Sequence, residues 1–221
     1  MKILSPQITE DKGLSNFVTT RLREAILTGS FEPGEKLDQD QIASELNVSR
    51  TPVREALKVL ASEGYVEIRS YRGAYIPTIS QQDIYNIYEI RWVIESEITR
   101  QATPIMPTDI LERFDHLFNE DLDYQKNRDR RHYEIDKDFH DAIAGYCHNN
   151  LFKEILSKMN NRIVRVRSFA LQQPGSHLEE SCNEHIAILE AIKARDAEEA
   201  GHRMEQHLRN SATRIMKYLS Y

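Results

Sequence analysis

Between residues 39 and 64, two runs of helical apolar spacing are separated by only Asn47, Val48 and Ser49. The first run, about 39–46, follows Asp38, whose carboxylate can accept from free amides at a helix start, and turns Ile42, Ala43 and Leu46 inward. The second has Ser49 at the cap position and Pro52 in the first turn, where a missing N–H costs nothing. It directs Val53, Ala56, Leu57 and Leu60 inward before Gly64. A helix, a three- to four-residue turn and a second helix form the helix-turn-helix pattern. A third helix precedes them, with Leu14, Phe17, Val18, Leu22, Ile26 and Leu27 at helical spacing; it ends at Thr28-Gly29, ahead of a Pro33-Gly34 turn.

The second helix of the pair carries Arg50, Arg54 and Lys58 at i, i+4 and i+8, which lines three cations along one face. In a helix-turn-helix this end enters the major groove, where arginine can bond guanine O6 and N7 in a bidentate way. Thr51 and the helix N-terminal amides can hold a phosphate. The same stripe equally suits a solvated surface on which Glu55 and Glu63 supply local pairs. The residues that follow favour nucleic acid. Tyr65–Ile68 and Ala74–Ile76 are short β-prone runs around Ser70-Tyr71-Arg72-Gly73, which predicts a hairpin, or wing, with Arg69 and Arg72 near its tip. Gly73 permits a positive φ or a close approach. Residues 1–80 hold ten basic against eleven acidic side chains, and the whole chain carries a net charge of −6, so any DNA contact must come from this local stripe rather than from bulk charge.

The strings G-S-F-x-P-G-E-K-L, I-A-S-E-L-N-V-S-R-T-P-V-R-E-A-L-K-V-L-A-S-E-G-Y-V and R-G-A-Y-I resemble the winged-helix domain of GntR-type bacterial transcription regulators over residues ~14–78. The resemblance implies binding of double-stranded operator DNA, an inverted repeat, by a homodimer. It carries Arg50, Thr51 and Arg54 over as base and phosphate contacts, with Lys58 and Arg72 added from the stripe and wing, and Gly73 at the wing. One position departs: where some members place a basic residue early in the second helix, this chain has Asp40.

From Ser80, whose S-Q-Q-D resembles a capped helix start, helical periodicity predicts six helices, about 81–102, 108–126, 129–147, 150–172, 177–194 and 197–219. Breaks are expected at Pro104/Pro107, Asn127, Asn149/Asn150, Pro174-Gly175 and Arg195-Asp196. The expected architecture is mainly α: an N-terminal winged helix-turn-helix with a small β-hairpin wing over residues 1–79, and a C-terminal antiparallel helical bundle over residues 80–221. Eight glycines and seven prolines are too few for a turn-rich β fold. Two cysteines cannot make a disulfide framework, and neither a bilayer-spanning run nor the apolar core of a signal peptide is visible. A cytoplasmic protein with no membrane partner is the expectation.

In the bundle, Asp136 and His140 stand at i, i+4 on one helical face, while His185 and His207 sit on two later amphipathic helices. Three imidazoles and a carboxylate suit a divalent ion (Zn, Ni, Fe or Mn), but on spacing alone the stronger reading is that histidines on half-buried helix faces are simply hydrogen-bonded. His202 reads as surface, His132 and His148 as flanking the third bundle helix, and Cys182 as a small buried residue. D-x-x-F-H, E-H-x-x-I-L-x-A-I and M-x-x-H-L, in that order, with I-Y-E-I-R-W-V-I-E-S-E at the start, resemble the FadR-type (FCD) ligand-binding domain over ~82–216. That resemblance implies a metal on Asp136, His140, His185 and His207, and a small carboxylate effector joining it. Arg91 or Arg165 could supply its counter-charge, although Arg165 equally suits a solvated or dimer-facing helix side. Together these imply a metabolite-controlled repressor. A metal-dependent hydrolase or dioxygenase fused to a DNA-binding module is the alternative, against which no general base stands out.

Overall fold

The computed structural model describes residues 11–123, 128–171 and 178–219. They fall into two compact units, Met1–Ile79 with Asn160–Gln172, and Ser80–Met159 with Gln173–Tyr221.

In the first unit, α1 (Asp11–Leu27) packs on α3 (Arg50–Ser62), with the short α2 (Gln39–Leu46) between them in sequence. Asp38 caps α2 by accepting from the amides of Asp40 (2.8 Å) and Gln41 (3.2 Å). Asn47 then ends α2 in the left-handed region at φ +53° and redirects the chain toward α3. Ser49 occupies the cap position of α3 but makes no side-chain cap bond. Val18, Leu22, Ile42, Leu46, Val53, Leu57 and Leu60 close one core, each contributing about 1.5–3 kcal/mol by leaving water.

The wing is larger than the expected hairpin. β2 (Glu67–Arg69) and β3 (Gly73–Tyr75) pair antiparallel, and β1 (Lys36–Leu37) joins the other edge of β3, giving the order β1-β3-β2. Lys36 faces Tyr75 and Leu37 faces Ala74. Two residues are too few to display alternation, so β1 leaves no periodic signal. Gly73 takes φ +104°, which a side chain would strain, and Tyr71 at the turn takes φ +59° with its ring fully exposed.

The second unit contains α4 (Gln81–Ala102), α5 (Thr108–Asp123), α6 (Arg128–Gly145), the first half of α7 (Asn150–Leu171), α8 (Leu178–Lys193) and α9 (Ala197–Lys217). A capping box starts α4: Ser80 Oγ accepts from the Asp83 amide (3.1 Å), and the Asp83 carboxylate accepts from the Ser80 amide (3.0 Å). Helix α4 packs most extensively on α9, and α5 and α9 both pack on α8. Where α9 passes α4 at Gly201, a Cβ would stand 2.6 Å from Cγ of Arg100, so any larger residue there would displace the Arg100 side chain. Asp196 caps α9 through the Glu199 amide, and Arg195 beside it, at φ +59°, donates to the carbonyls of Thr103 (2.8 Å) and Met106 (2.7 Å). Phe114, Phe118 and Phe139, all fully buried, interlock with ring centroids 5.0–6.0 Å apart.

Helix α7 departs from the expectation of a bundle uninterrupted from residue 80. From Asn160 it belongs to the first unit, because its apolar face supplies Val164 to the winged-helix core. The expected breaks at Asn127 and Pro174-Gly175 lie outside the described residues. Among the described residues, no helix is long and apolar enough to cross a membrane.

Candidate functional site

Two places gather chemistry, one in each unit. The first is the exposed face of α3. Thr51, Arg54 and Lys58 are solvent-facing, and the side chains of Arg50, Arg54 and Lys58 are 74%, 62% and 57% exposed. The opposite face of the helix is spent on Val53, Ala56, Leu57 and Leu60, so the i, i+4, i+8 spacing leaves the cations outward. Each cation has an acidic neighbour: Arg50 pairs with Asp40, Arg54 lies 3.6 Å from Glu55, and Lys58 3.1 Å from it. Such exposed pairs are worth no more than about 1 kcal/mol and can be exchanged for phosphate or base edges. At the wing, Arg69 is held by Glu67 (3.2 Å) and over the Tyr75 ring (4.4 Å), while Arg72 beside Gly73 is exposed. Tyr71, exposed at the tip, is a further candidate contact that the basic pattern did not single out.

The second place is buried in the helical unit. Asp136 and His140 project from one face of α6, His185 from α8 and His207 from α9, and one ligand atom from each lies within 4.8 Å of all the others. His185 Nε2 is 3.2 Å from His207 Nε2 and 3.3 Å from Asp136 Oδ1, and His140 Nε2 is 3.6 Å from the same oxygen. Donors held at about 2.0–2.2 Å from one shared ion stand about 3.0–3.5 Å from their neighbours, so these separations fit a common centre. His140 Nε2 is fully buried and has no hydrogen-bond partner among the described residues, which leaves a lone pair aimed into the cluster.

The outer nitrogens explain why the inner ones face inward. His140 Nδ1 donates to Glu95 Oε2 at 2.6 Å, and His207 Nδ1 donates to Glu184 Oε2 at 2.8 Å. An ionised carboxylate only accepts, so the shared proton sits on Nδ1, and it is the Nε2 side of each ring that is left to face the cluster as the ligand atom of a neutral imidazole. Burial raises the Glu95 carboxyl, but the Arg91 guanidinium and His140 more than offset it and hold it well below the usual carboxylate range. Glu184 likewise is raised by burial and then drawn well down by bonds from Arg214 and His207. Burial pushes His185 well below the ordinary imidazole value, with the neighbouring His207 adding to it, and burial also lowers His207 despite its bond to Glu184. Both rings are therefore neutral at pH 7, which is the form that binds a metal.

The four expected metal ligands converge. The two arginines expected to meet an effector lie in different units. Arg91 is buried and already bonded to Glu95 through Nε at 2.6 Å. Arg165 belongs to the other unit, lining a crevice with Ile26, Tyr65 and Ile76. His132, read from the sequence as a flanking residue, is buried with its ring centroid 6.0 Å from that of His185. Its spacing was the available signal: His132, Asp136 and His140 repeat at i, i+4, i+8 on α6.

Comparison with known proteins decides the family. The model of the gntR family of bacterial regulatory proteins matches residues 14–76, and the FCD domain model matches residues 86–210. The chain belongs to the gntR family of regulators. Its N-terminal match contains the whole α3 stripe and wing, and its FCD match contains all four converging ligands. The regulator is 30% identical over 235 residues to the Exu regulon transcriptional regulator of Escherichia coli, covering 96% of this chain and 87% of that one. It is 29% identical over 190 residues to the E. coli HTH-type transcriptional repressor RspR, covering 85% and 82%. In fold it is similar to the putative GntR regulator of Rhodococcus sp. RHA1, with a TM-score of 0.74, 24% identity and coverage of 95% and 99%. These relatives are transcriptional regulators, so the regulator is a DNA-binding transcription factor and the alternative of a hydrolase or dioxygenase is set aside.

Proposed function

We propose that this regulator is a cytoplasmic homodimeric repressor that binds an inverted-repeat operator and is controlled by a small carboxylate at a metal-containing sensor. On this reading Arg50, Thr51, Arg54, Lys58, Arg72 and Gly73 form the DNA contact of each protomer. Asp136, His140, His185 and His207 hold one divalent ion, of the Zn, Ni, Fe or Mn group. The observation that carries the reading is the convergence of three buried imidazole Nε2 atoms and one carboxylate oxygen within 4.8 Å. Four protein ligands leave an ion such as Ni, Fe or Mn open positions for an oxygen ligand. With three neutral imidazoles and one carboxylate, a divalent ion leaves the centre net positive, which favours an anion there. The repressor role is supported by the name of the relative RspR. Two-fold proteins match two-fold sites, so dimeric winged helices suit an inverted repeat.

The test is a salt-matched operator titration of metal-loaded protein against a panel of mono-, di- and tricarboxylates and sugar acids, repeated with chelator. The reading expects at least one acid to weaken operator binding only when metal is present. No response to any acid, with or without metal, would count against it.

A further inference from the structure

Each of the two outer histidine bonds is the last step of a longer chain. On α4, Arg91 Nε donates to Glu95 Oε1 at 2.6 Å while Glu95 Oε2 accepts from His140 Nδ1 at 2.6 Å. Across α8 and α9, Arg214 grips Glu184 with both ends of its fork, Nη1 to Oε1 and Nη2 to Oε2, each at 2.7 Å. Asn210 adds a bond to Oε1 at 2.8 Å, and His207 Nδ1 donates to Oε2 at 2.8 Å. His185 is held differently. Its ring is stacked with those of Phe118 (centroids 5.3 Å, 19° between planes) and His132 (6.0 Å, 29°), and its Nδ1 has no partner among the described residues.

We propose that Glu95 and Glu184 are positioning residues for the metal centre, each fixing one ligand histidine in tautomer and ring orientation and each itself fixed by an arginine, Arg91 or Arg214. This deepens the reading of Asp136, His140, His185 and His207 as metal ligands and rests on it. An imidazole held only by packing can rotate about its ring torsion. A carboxylate on Nδ1 removes that freedom only if the carboxylate is itself immobile. A bidentate guanidinium defines the carboxylate plane, because its planar fork matches both oxygens. Each arginine–glutamate pair is also neutral as a unit, so the two carboxylates orient the rings and raise their basicity without adding net charge beside the ion. Arg91 and Arg214 are thereby committed, and an anionic ligand must be met by the ion itself.

The experiment uses full-length protein without a polyhistidine tag, Zn(II) as the probe, and competition against a chromophoric chelator. Glu184→Gln should bind zinc about 10–100-fold more weakly than wild type. Arg214→Lys, which keeps the charge but loses the fork, should weaken zinc by a smaller factor. Co(II) substitution supplies a readout that loss of stability alone would not move: the visible absorption bands should change in energy and intensity in Glu184→Gln, because a glutamine has one acceptor oxygen where His207, Arg214 and Asn210 use two, so the hold on the His207 ring loosens. Glu184 is one-fifth exposed, so water can reach the altered site and the fold should survive; Arg214→Lys serves as the gentler second variant. Wild type that fails to bind zinc overturns both the metal reading and the positioning role. Wild type that binds zinc, beside a Glu184→Gln protein with equal affinity and the same cobalt spectrum, overturns the positioning role alone.

Discussion

Removing the metal should lower the thermal midpoint by several degrees. The ligands come from three helices, α6, α8 and α9, so a single ion adds a link among all three beyond their packing and the bonds of Glu184 to Arg214, Asn210 and His207. Without the ion, His140 Nε2 is a buried lone pair with no partner among the described residues, a condition that costs about 1–3 kcal/mol. His185 and His207 then face each other through Nε2 atoms 3.2 Å apart. With free metal at 100 times its dissociation constant, linkage adds about 2.7 kcal/mol to the native state. For a protein of this size each kcal/mol moves the midpoint by about 2–4 °C, so the expected difference is about 5–11 °C. The assay is differential scanning fluorimetry of chelated protein with Zn(II), Ni(II) or Mn(II) added back in excess, run beside His207→Ala. Coincident midpoints for chelated and metal-loaded wild type, with all three ions, would refute the reasoning. A shift of equal size in His207→Ala would show that metal acts elsewhere on the chain.

Arg54→Ala should remove about 1–3 kcal/mol of operator discrimination if its contact is bidentate, and wild-type affinity and selectivity in a salt-matched titration would contradict this. Phe139→Ala should cost about 3–5 kcal/mol in urea unfolding and weaken metal binding as well, since the ring is fully buried and stands 5.5 Å from the His185 ring; a change below about 1 kcal/mol would contradict it. Acid should destabilise the metal-free protein: burial depresses His185 and His207 in the native state, whereas the unfolded chain takes up protons near ~6.5. Unfolding therefore binds protons below that pH, stability falls as pH drops through it, and urea midpoints at pH 5.5 should lie below those at pH 7.5; equal or higher midpoints at pH 5.5 would count against buried neutral rings.

The winged helix was legible because its signals are local. Asp38 at the head of α2, the short turn at Asn47 and the Val53–Leu60 spacing all report within a few residues of where they act. Strand β1 was not, because two residues show no period and their pairing with β3 bridges more than 35 positions. Helix α7 shows the same limit at a larger scale. Its apolar stripe is continuous through Asn160, and nothing in the periodicity says that Val164 packs into the winged-helix core. At the buried cluster, identity and spacing left ordinary core histidines as the stronger reading, and it was the resemblance to the FCD domain that singled out the four side chains that converge. The carboxylates behind them were harder to see. Glu95 lies 45 positions from His140, and Glu184 precedes His185 yet serves His207, on the next helix. Arg91 illustrates the cost of reading a charge without its neighbour. Four residues separate it from Glu95, the spacing of a helical ion pair, and in the structure its guanidinium is engaged by that carboxylate.

Elemental analysis of untagged protein decides whether Asp136, His140, His185 and His207 together form a metal centre. After incubation with Zn, Ni and Mn and removal of free ion, wild type should retain one divalent ion per chain, and His207→Ala should retain well under that. Equal, near-zero metal in both proteins would contradict the account and return the three histidines to the role of ordinary core residues.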